Sequence, residues 1–479
     1  MPTASMRSST CLDPSPPEPT GHASLPVHRA GEPRVVIIGA GACGLACARG
    51  MSELGHDKWV ILEADTRVGG LAASTLDENG FTWELGGHVV FGDSGAFQQL
   101  VFDAIPKEEL IRHHRSSAIY FAGRFIPYPF QRHIRHLPPD VAFECLSGLV
   151  KAALCTPDRQ PRNFLERVVS TFGEGLTRYF FEPYNSKVWR TPLDKMDDGW
   201  IADRIAPVDW QESLWNVIHG HDSEPWGPNR EFVFPAEGGI GRIWESIAGN
   251  LGAGLRLGTE VATIDARAQI AYAVDGSEWP YDVLVSTMPI DILVSRLLDC
   301  PDDLRRAAKR LIYTQVQIVG LGYEAPLSNS HNWLYFPDPH TPFYRATNTA
   351  KYTPSSVPRA DVSRYSAWLT ETACRPEAAI DSRALALTAD RALRNLGLVP
   401  RYARVASTYV TTIPRAYPVP TLDRDRQLLV IQPWLAAHRI LSRGRLGTWK
   451  YEIGNMDHAV KMGVDLARLI LRGVLEELA

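Results

Sequence analysis

No cysteine in this chain belongs to a CxxC pair. The seven present, Cys11, Cys43, Cys47, Cys145, Cys155, Cys300 and Cys374, are scattered and odd in number. That argues against both a disulfide framework and a zinc site, and favours a reducing cytoplasm. No apolar run approaches the length of a membrane span, and the N-terminus lacks the basic-then-apolar layout of a secretory signal, so neither a membrane nor export is expected. An excess of one charge is missing too. Lys plus Arg number 50 against 54 Asp plus Glu, a formal charge of −4, which gives no overall field for nucleic acid or an anionic surface. Any cationic site must be local. Internal repeats are absent. What remains is a chain of 479 residues, 45% hydrophobic and 22% charged, able to bury a large core in about two to four structural units.

Residues 1 to 32 are rich in Ser, Pro, Thr and His and poor in aliphatics, and are expected to form a disordered tail. From Arg34 the sequence predicts a strand (Val35-Val36-Ile37-Ile38), a glycine turn, a helix of small residues over Cys43 to Leu54, and a second strand, Trp59-Val60-Ile61-Leu62. This is a βαβ unit. Between 96 and 229 the pattern turns mainly helical and aromatic, with Pro-bounded segments, as in an inserted domain. Short strands return over 255 to 290, including Asp282 to Ser286. Alternating strands such as Val316 to Leu321 and Trp333 to Phe336 predict a further antiparallel sheet over 313–419. A final helix is expected from Asp457, with Val460, Val464, Ala467 and Leu471 on one face. The fold class expected is α/β: a discontinuous Rossmann-like unit (33–95, 230–312 and 420–479), an inserted helical domain and a mixed or antiparallel sheet domain.

Gly39-Ala40-Gly41-Ala42-Cys43-Gly44 follows a strand and opens a helix. In that context glycines permit a tight turn and let backbone amides approach a pyrophosphate, whose charge the helix N-terminus favours. Glu63 ends the next strand, where a carboxylate accepts both ribose hydroxyls of an adenosine and repels a 2′-phosphate. Arg67-Val68-Gly69-Gly70-Leu71 then resembles the second diphosphate-binding segment of flavoproteins in the glutathione-reductase and amine-oxidase superfamily. Gly86-Gly87-His88 adds a glycine pair suited to close approach by a flat ring. NAD-only dehydrogenases lack this extension, so FAD is the expected cofactor. By the same resemblance Val261, in Gly258-Thr259-Glu260-Val261, meets the adenine through its backbone. The helix that follows Gly454-Asn455-Met456-Asp457 aims its N-terminus at the flavin, where it would stabilise a reduced, anionic ring.

Further segments resemble the eukaryotic-type UDP-galactopyranose mutases. They include Gly86-Gly87-His88-Val89-Val90-Phe91, Pro127-Tyr128-Pro129-Phe130-Gln131 and Pro183-Tyr184-Asn185-Ser186-Lys187-Val188-Trp189. Trp226-Gly227-Pro228-Asn229, Trp333-Leu334-Tyr335-Phe336-Pro337 and Pro342-Phe343-Tyr344-Arg345-Ala346-Thr347 follow, then Tyr417-Pro418-Val419-Pro420-Thr421-Leu422 and Tyr451-Glu452-Ile453-Gly454-Asn455. The resemblance extends from Arg34 to about Leu471. It implies interconversion of the pyranose and furanose forms of a nucleotide-diphosphate sugar, UDP-galactose by default, with reduced FAD as nucleophile and NADPH or NADH as reductant.

It also implies roles for individual residues. Arg204 and Arg345 match the family's diphosphate-binding pair, with Tyr417 and Tyr451 as hydroxyl donors. A planar guanidinium suits two phosphate oxygens better than lysine does. His88 would contact the isoalloxazine, with Arg445, Asn455 and Met456 beside it. Asn229, Trp189, Asn185, Tyr335 and Trp333 would line the sugar or nucleotide pocket, and Tyr128, Phe130, Gln131 and Phe180 would hold the base and ribose. Taken singly, these arginines could be surface ion pairs and these aromatics core packing.

The chain departs from the family at Met456, which replaces a glutamine, and at Glu182 and Ser186 beside Asn185. Those changes leave the sugar and base open. The chain ends soon after its last helix, so an oligomer built from extra C-terminal helices need not form, and a homo-oligomer of another kind stays open. Two other readings are an oxidase of the amine-oxidase or protoporphyrinogen-oxidase type, and a non-catalytic flavoprotein that binds a nucleotide sugar.

Overall fold

The computed structural model describes residues 32–91, 95–155, 159–201, 204–223, 230–326, 329–378 and 381–474. The tail expected over 1 to 32 lies outside these but for Glu32, as does Asn229.

Five parallel strands stand in the order Ile440–Ser442, Val283–Ser286, Val35–Ile38, Trp59–Leu62 and Leu255–Arg256. The Val-Val-Ile-Ile run is central and buried along its whole length, as a strand covered on both faces must be. Its carboxyl end runs into Gly39, and that of the neighbouring strand into Thr287. The crevice outside these ends is where open α/β sheets bind ligands. Helix Ala42–Glu53 follows at once, and the final helix, Met456–Arg472, packs along it. Small residues make this approach close: a Cβ on Gly463 would overlap the Cys43 carbonyl, and one on Gly50 would come within 3.1 Å of Ala467. The same contact carries the N-terminus of the final helix to the mouth of the crevice.

The second sheet has seven strands, ordered Arg404–Pro418, Tyr313–Glu324, Ser366–Cys374, Arg345–Asn348, Trp333–Tyr335, Ser117–Phe121 and Arg124–Pro127. All neighbours are antiparallel except Trp333–Tyr335 with Ser117–Phe121. Its last two strands come from the stretch expected to be mainly helical. Ala122 and Gly123 both take positive φ (48° and 80°), the requirement of a two-residue hairpin turn. Ile119 and Ile126 then face each other, fully buried. Ala-Gly is a weaker turn signal than Asn-Gly, so the hairpin is hard to see in the sequence. Elsewhere in that stretch the helices Pro139–Leu154, Phe164–Leu176, Glu182–Trp189 and Trp210–His219 appear.

The hairpin Ser74–Glu84 packs on the second sheet and, at Ser74, against the start of helix Gly241–Gly249. Phe81 and Trp83 lie against Gly322 and Gly320 of the long strand, where any Cβ would meet their rings. Trp83 also stacks on Tyr409 at 6.1 Å. At the end of this hairpin Glu84 is 2% exposed, accepting from Ser74 Oγ (2.9 Å) and the Ile240 amide (3.2 Å). Burial pushes its carboxyl up from 4.5 to about 8. Between those values the unfolded chain has released a proton that the folded chain keeps, so this group makes stability fall as pH rises from about 4.5 to about 8. Glu84→Gln should therefore gain stability over the parent as pH is raised from 5 to 8, measured by urea unfolding at each pH. A difference that stays constant with pH would place the proton elsewhere.

Candidate active site

A cavity of about 430 Å³ opens at the carboxyl ends of the parallel strands. Gly39, Gly41, Gly69, Gly70, Glu63 and Val261 line it away from a second cavity, and Leu71, Gly87, His88, Arg445 and Asn455 line the side shared with that cavity, with Met456 next to Asn455. Gly39 has φ +101°, and a Cβ there would overlap Thr287 Oγ1, so the turn accepts glycine alone. Glu63 is held in place by the amides of Ala40 (2.6 Å) and Asp65 (2.9 Å). Of the remaining residues expected at the cofactor, Gly44 packs behind the turn against the Gly39 carbonyl. Arg67 braces the loop by donating to Thr75 Oγ1 (2.5 Å), and Gly86 belongs to the adjoining cavity.

His88 is among the residues shared with that second cavity. Its Nδ1 is out of contact with solvent and has no hydrogen-bond partner. Burial, then the nearby guanidiniums of Arg445 and Arg345, lower it from 6.5 to about 4, so the ring is neutral at working pH. Arg445 donates to the carbonyls of Ala416 (3.2 Å) and Gly454 (3.1 Å) and lines both cavities. Asn455 caps the final helix, with Asp457 in its first turn.

The second cavity, about 340 Å³, lies between the antiparallel sheet and the helices. Tyr128, Gln131, Phe180, Asn185, Trp189, Arg204, Trp333, Tyr335, Arg345, Tyr417 and Tyr451 all line it. A wide, π-type turn over Thr177–Phe181 runs straight into helix Glu182–Trp189, putting Phe180, Asn185 and Trp189 on the cavity wall; such turns recur at functional sites. Phe130 is the exception: fully buried, it stacks on Phe180 at 4.7 Å and supports that ring from behind. Of the three family departures only Met456 lines a cavity; Glu182 and Ser186 are exposed on the outer side of their helix. That corrects the expectation that they bear on the sugar and base.

The two arginines are held differently. Arg345 makes a two-point ion pair with Glu371, Nε to Oε1 at 2.6 Å and Nη2 to Oε2 at 2.7 Å. Glu371 is 2% exposed and also accepts from Tyr344 OH (2.7 Å), whose oxygen is 3.2 Å from Tyr417 OH. Arg204 instead donates to neutral oxygens: Asn455 Oδ1 (2.9 Å) and the carbonyls of Tyr451 (3.2 Å) and Glu452 (2.6 Å). Its guanidinium also lies over the Tyr451 ring, 5.1 Å from the centroid.

Several residues at the site were missed from the sequence. Arg115 lines the cavity, lying over the Tyr128 ring at 4.2 Å and donating to Tyr335 OH at 3.0 Å. Lys187 Nζ lies 2.8–2.9 Å from the carbonyls of Phe336, Asp338, Thr341 and Phe343, which share its three N–H donors. It thereby fixes the helix of Asn185 and Trp189 to the loop leading into Arg345. Tyr344 and Lys187 lie within quoted motifs and Glu371 within the span expected to form the antiparallel sheet, yet only three-dimensional pairing gives them a role.

The family model for flavin containing amine oxidoreductases matches residues 42–427. A crystal structure of reduced UDP-galactopyranose mutase is 34% identical, with a TM-score of 0.88 over 92% of this chain and 96% of that one. The chain belongs to the UDP-galactopyranose mutase family of flavin-containing amine oxidoreductases. A putrescine oxidase solved with bound putrescine has a TM-score of 0.62 at 17% identity, over 92% of this chain and 99% of that one, a likeness of fold alone. Polyamine oxidase 1 of Zea mays is 33% identical over 90 residues, 19% of this chain and 18% of its own length. The L-amino-acid oxidase of Mus musculus is 45% identical over 65 residues, 13% of this chain and 10% of its length. The chain thus matches these curated relatives over less than a fifth of their length.

The first cavity fits the FAD that the family carries. The glycine turn leaves no room for a side chain where a diphosphate would approach, Glu63 stands at the strand end, and the orphaned His88 Nδ1 offers a polar contact on the side shared with the second cavity. Glu63→Ala removes the carboxylate expected on the ribose. A charge-assisted pair of that kind is worth about 1.5–3 kcal/mol, so FAD should bind roughly 10- to 100-fold more weakly, read by flavin retained on gel filtration. A variant as yellow as the parent would count against that role.

Proposed function

We propose that this chain interconverts the pyranose and furanose forms of a nucleotide-diphosphate sugar, with UDP-galactose the first substrate to try. The observation that carries this reading is the convergence of Arg204, Arg345, Tyr417 and Tyr451 in one cavity that adjoins the cofactor cavity at His88, Arg445 and Asn455. Reduced flavin supplies the nucleophile for the anomeric carbon. The protein must then stabilise a diphosphate that gains charge as the glycosyl bond breaks.

Arg345 has five donors and commits two to Glu371, leaving others for phosphate oxygens in a fixed orientation. The neutral oxygens that hold Arg204 are weaker partners than an anionic phosphate oxygen, which would draw the guanidinium away from them. Tyr417 and Tyr451 present hydroxyls to the same space. The N-terminus of the final helix, at Asn455 and Met456, favours negative charge on the reduced ring. Neutral His88 carries no charge of its own, so that stabilisation falls to the helix N-terminus and Arg445.

NADPH or NADH is the reductant we assign, and a reducing cytoplasm the setting, a choice supported by seven scattered cysteines that form no CxxC pair in the sequence. Among the described residues no helix is long and apolar enough to cross a membrane.

An oxidase of the putrescine-oxidase kind would have no use for two guanidiniums facing a diphosphate. Oxygen uptake separates the two readings: the oxidised protein given putrescine or other amines should consume no oxygen above background. Sustained uptake coupled to amine loss would favour the oxidase.

A further inference from the structure

Outside both cavities, three metal-ligating side chains converge. His133 Nδ1 lies 3.7 Å and His136 Nε2 2.7 Å from Asp222 Oδ1, and the three atoms all fall within 4.8 Å of one another. The His133 side chain is 6% exposed, and its Nδ1 is shielded from solvent with no hydrogen bond. A buried ring nitrogen left unpaired is costly, and this one faces the Asp222 carboxylate.

We propose that His133, His136 and Asp222 form a binding site for a divalent transition metal of the zinc class. Imidazole nitrogen with one carboxylate suits Zn²⁺, Co²⁺ or Ni²⁺ and disfavours Mg²⁺ or Ca²⁺, which seek oxygen cages. Ligands on arms of about 2.1 Å in a tetrahedron stand roughly 3.4 Å apart, a value inside the spread seen here. The site would have three protein ligands and an open fourth position. Arg135 Nε also donates to Asp222 Oδ1 at 2.6 Å. A carboxylate has two oxygens and about four lone-pair positions, so the guanidinium and a metal can share it.

The ligands are held in advance. His133 sits at the junction of two successive tight turns, Phe130–Arg132 and Ile134–His136, and His136 ends the second, with ring centroids 6.0 Å apart. Next to Asp222, Ser223 Oγ donates to the Arg132 carbonyl (3.2 Å) and accepts from Asn216 (3.0 Å). Arg132 in turn pairs with Glu212 at 3.1 Å. The same two segments meet at the cavity wall, where Gln131 Nε2 donates to the Ala206 carbonyl at 3.0 Å. A metal would cross-link the segment of Gln131 to the one that begins at Arg204, stiffening one side of the substrate cavity.

The test uses full-length, FAD-loaded protein without an affinity tag, stripped with a chelator and titrated with Co²⁺ and then Zn²⁺. One equivalent of Co²⁺ should bind per chain with the visible bands of a tetrahedral site, and Zn²⁺ should displace it and raise Tm. His133→Ala should weaken binding at least 10-fold, while His221→Ala, an exposed neighbour, should leave it unchanged. Should His133→Ala lose its flavin, the more exposed His136→Gln carries the same expectation. No stoichiometric binding, or binding unaffected by these substitutions, would overturn the proposal.

Discussion

Replacing Arg345 by Ala should lower turnover by about 10³-fold, the scale seen when one preorganised donor to a developing oxyanion is removed. It should also weaken the fold. Glu371 would be left buried at 2% exposure with its counter-charge gone, and stranding one member of a buried pair costs about 3–5 kcal/mol. Arg345→Lys restores charge without the two-point fork, so it should recover stability more than turnover. Full activity in Arg345→Lys would mean that charge alone matters at this position. FAD should stay bound in both variants; loss of flavin would place Arg345 at the cofactor instead.

Arg204→Ala should separate the same two effects. Its partners are neutral oxygens at a partly buried loop, which water can reach once the side chain is gone. The expected loss of stability is about 1–2 kcal/mol, against a fall in turnover of roughly 10²- to 10³-fold. Urea unfolding and steady-state assays on the same preparation check both. A stability loss as large as that of Arg345→Ala, with turnover nearly intact, would make Arg204 a loop brace and nothing more.

The cofactor half of the site was legible because its residues are close in sequence and constrained by backbone. Gly39, Gly41, Glu63, Gly69 and Gly70 lie on one βαβ unit and its extension, and each is selected by a tight turn, a close approach or a strand end. The second cavity was legible only through family motifs, since Arg204, Arg345, Tyr417 and Tyr451, which line it, come from four distant segments. What fixes them in place was not legible. Glu371 stands directly opposite Arg345 across two antiparallel strands, a register that no local pattern reports. The one signal was an acidic residue in the otherwise apolar and Thr-rich run Ser366–Cys374. Lys187 similarly reads as a surface lysine on its helix until the four carbonyls around it are brought together by the 336–343 loop. Phe130 shows the converse limit: a motif can name a neighbourhood without telling the lining ring from the ring behind it.

The most direct test of the account is an anaerobic turnover assay. The purified yellow protein is reduced with dithionite, given UDP-galactofuranose, and followed by chromatography for UDP-galactopyranose, with the oxidised protein in parallel. Conversion in the reduced sample alone is the expected result. Equal conversion in the oxidised sample, or no conversion of any nucleotide sugar in a wider panel with the reduced protein, would contradict it.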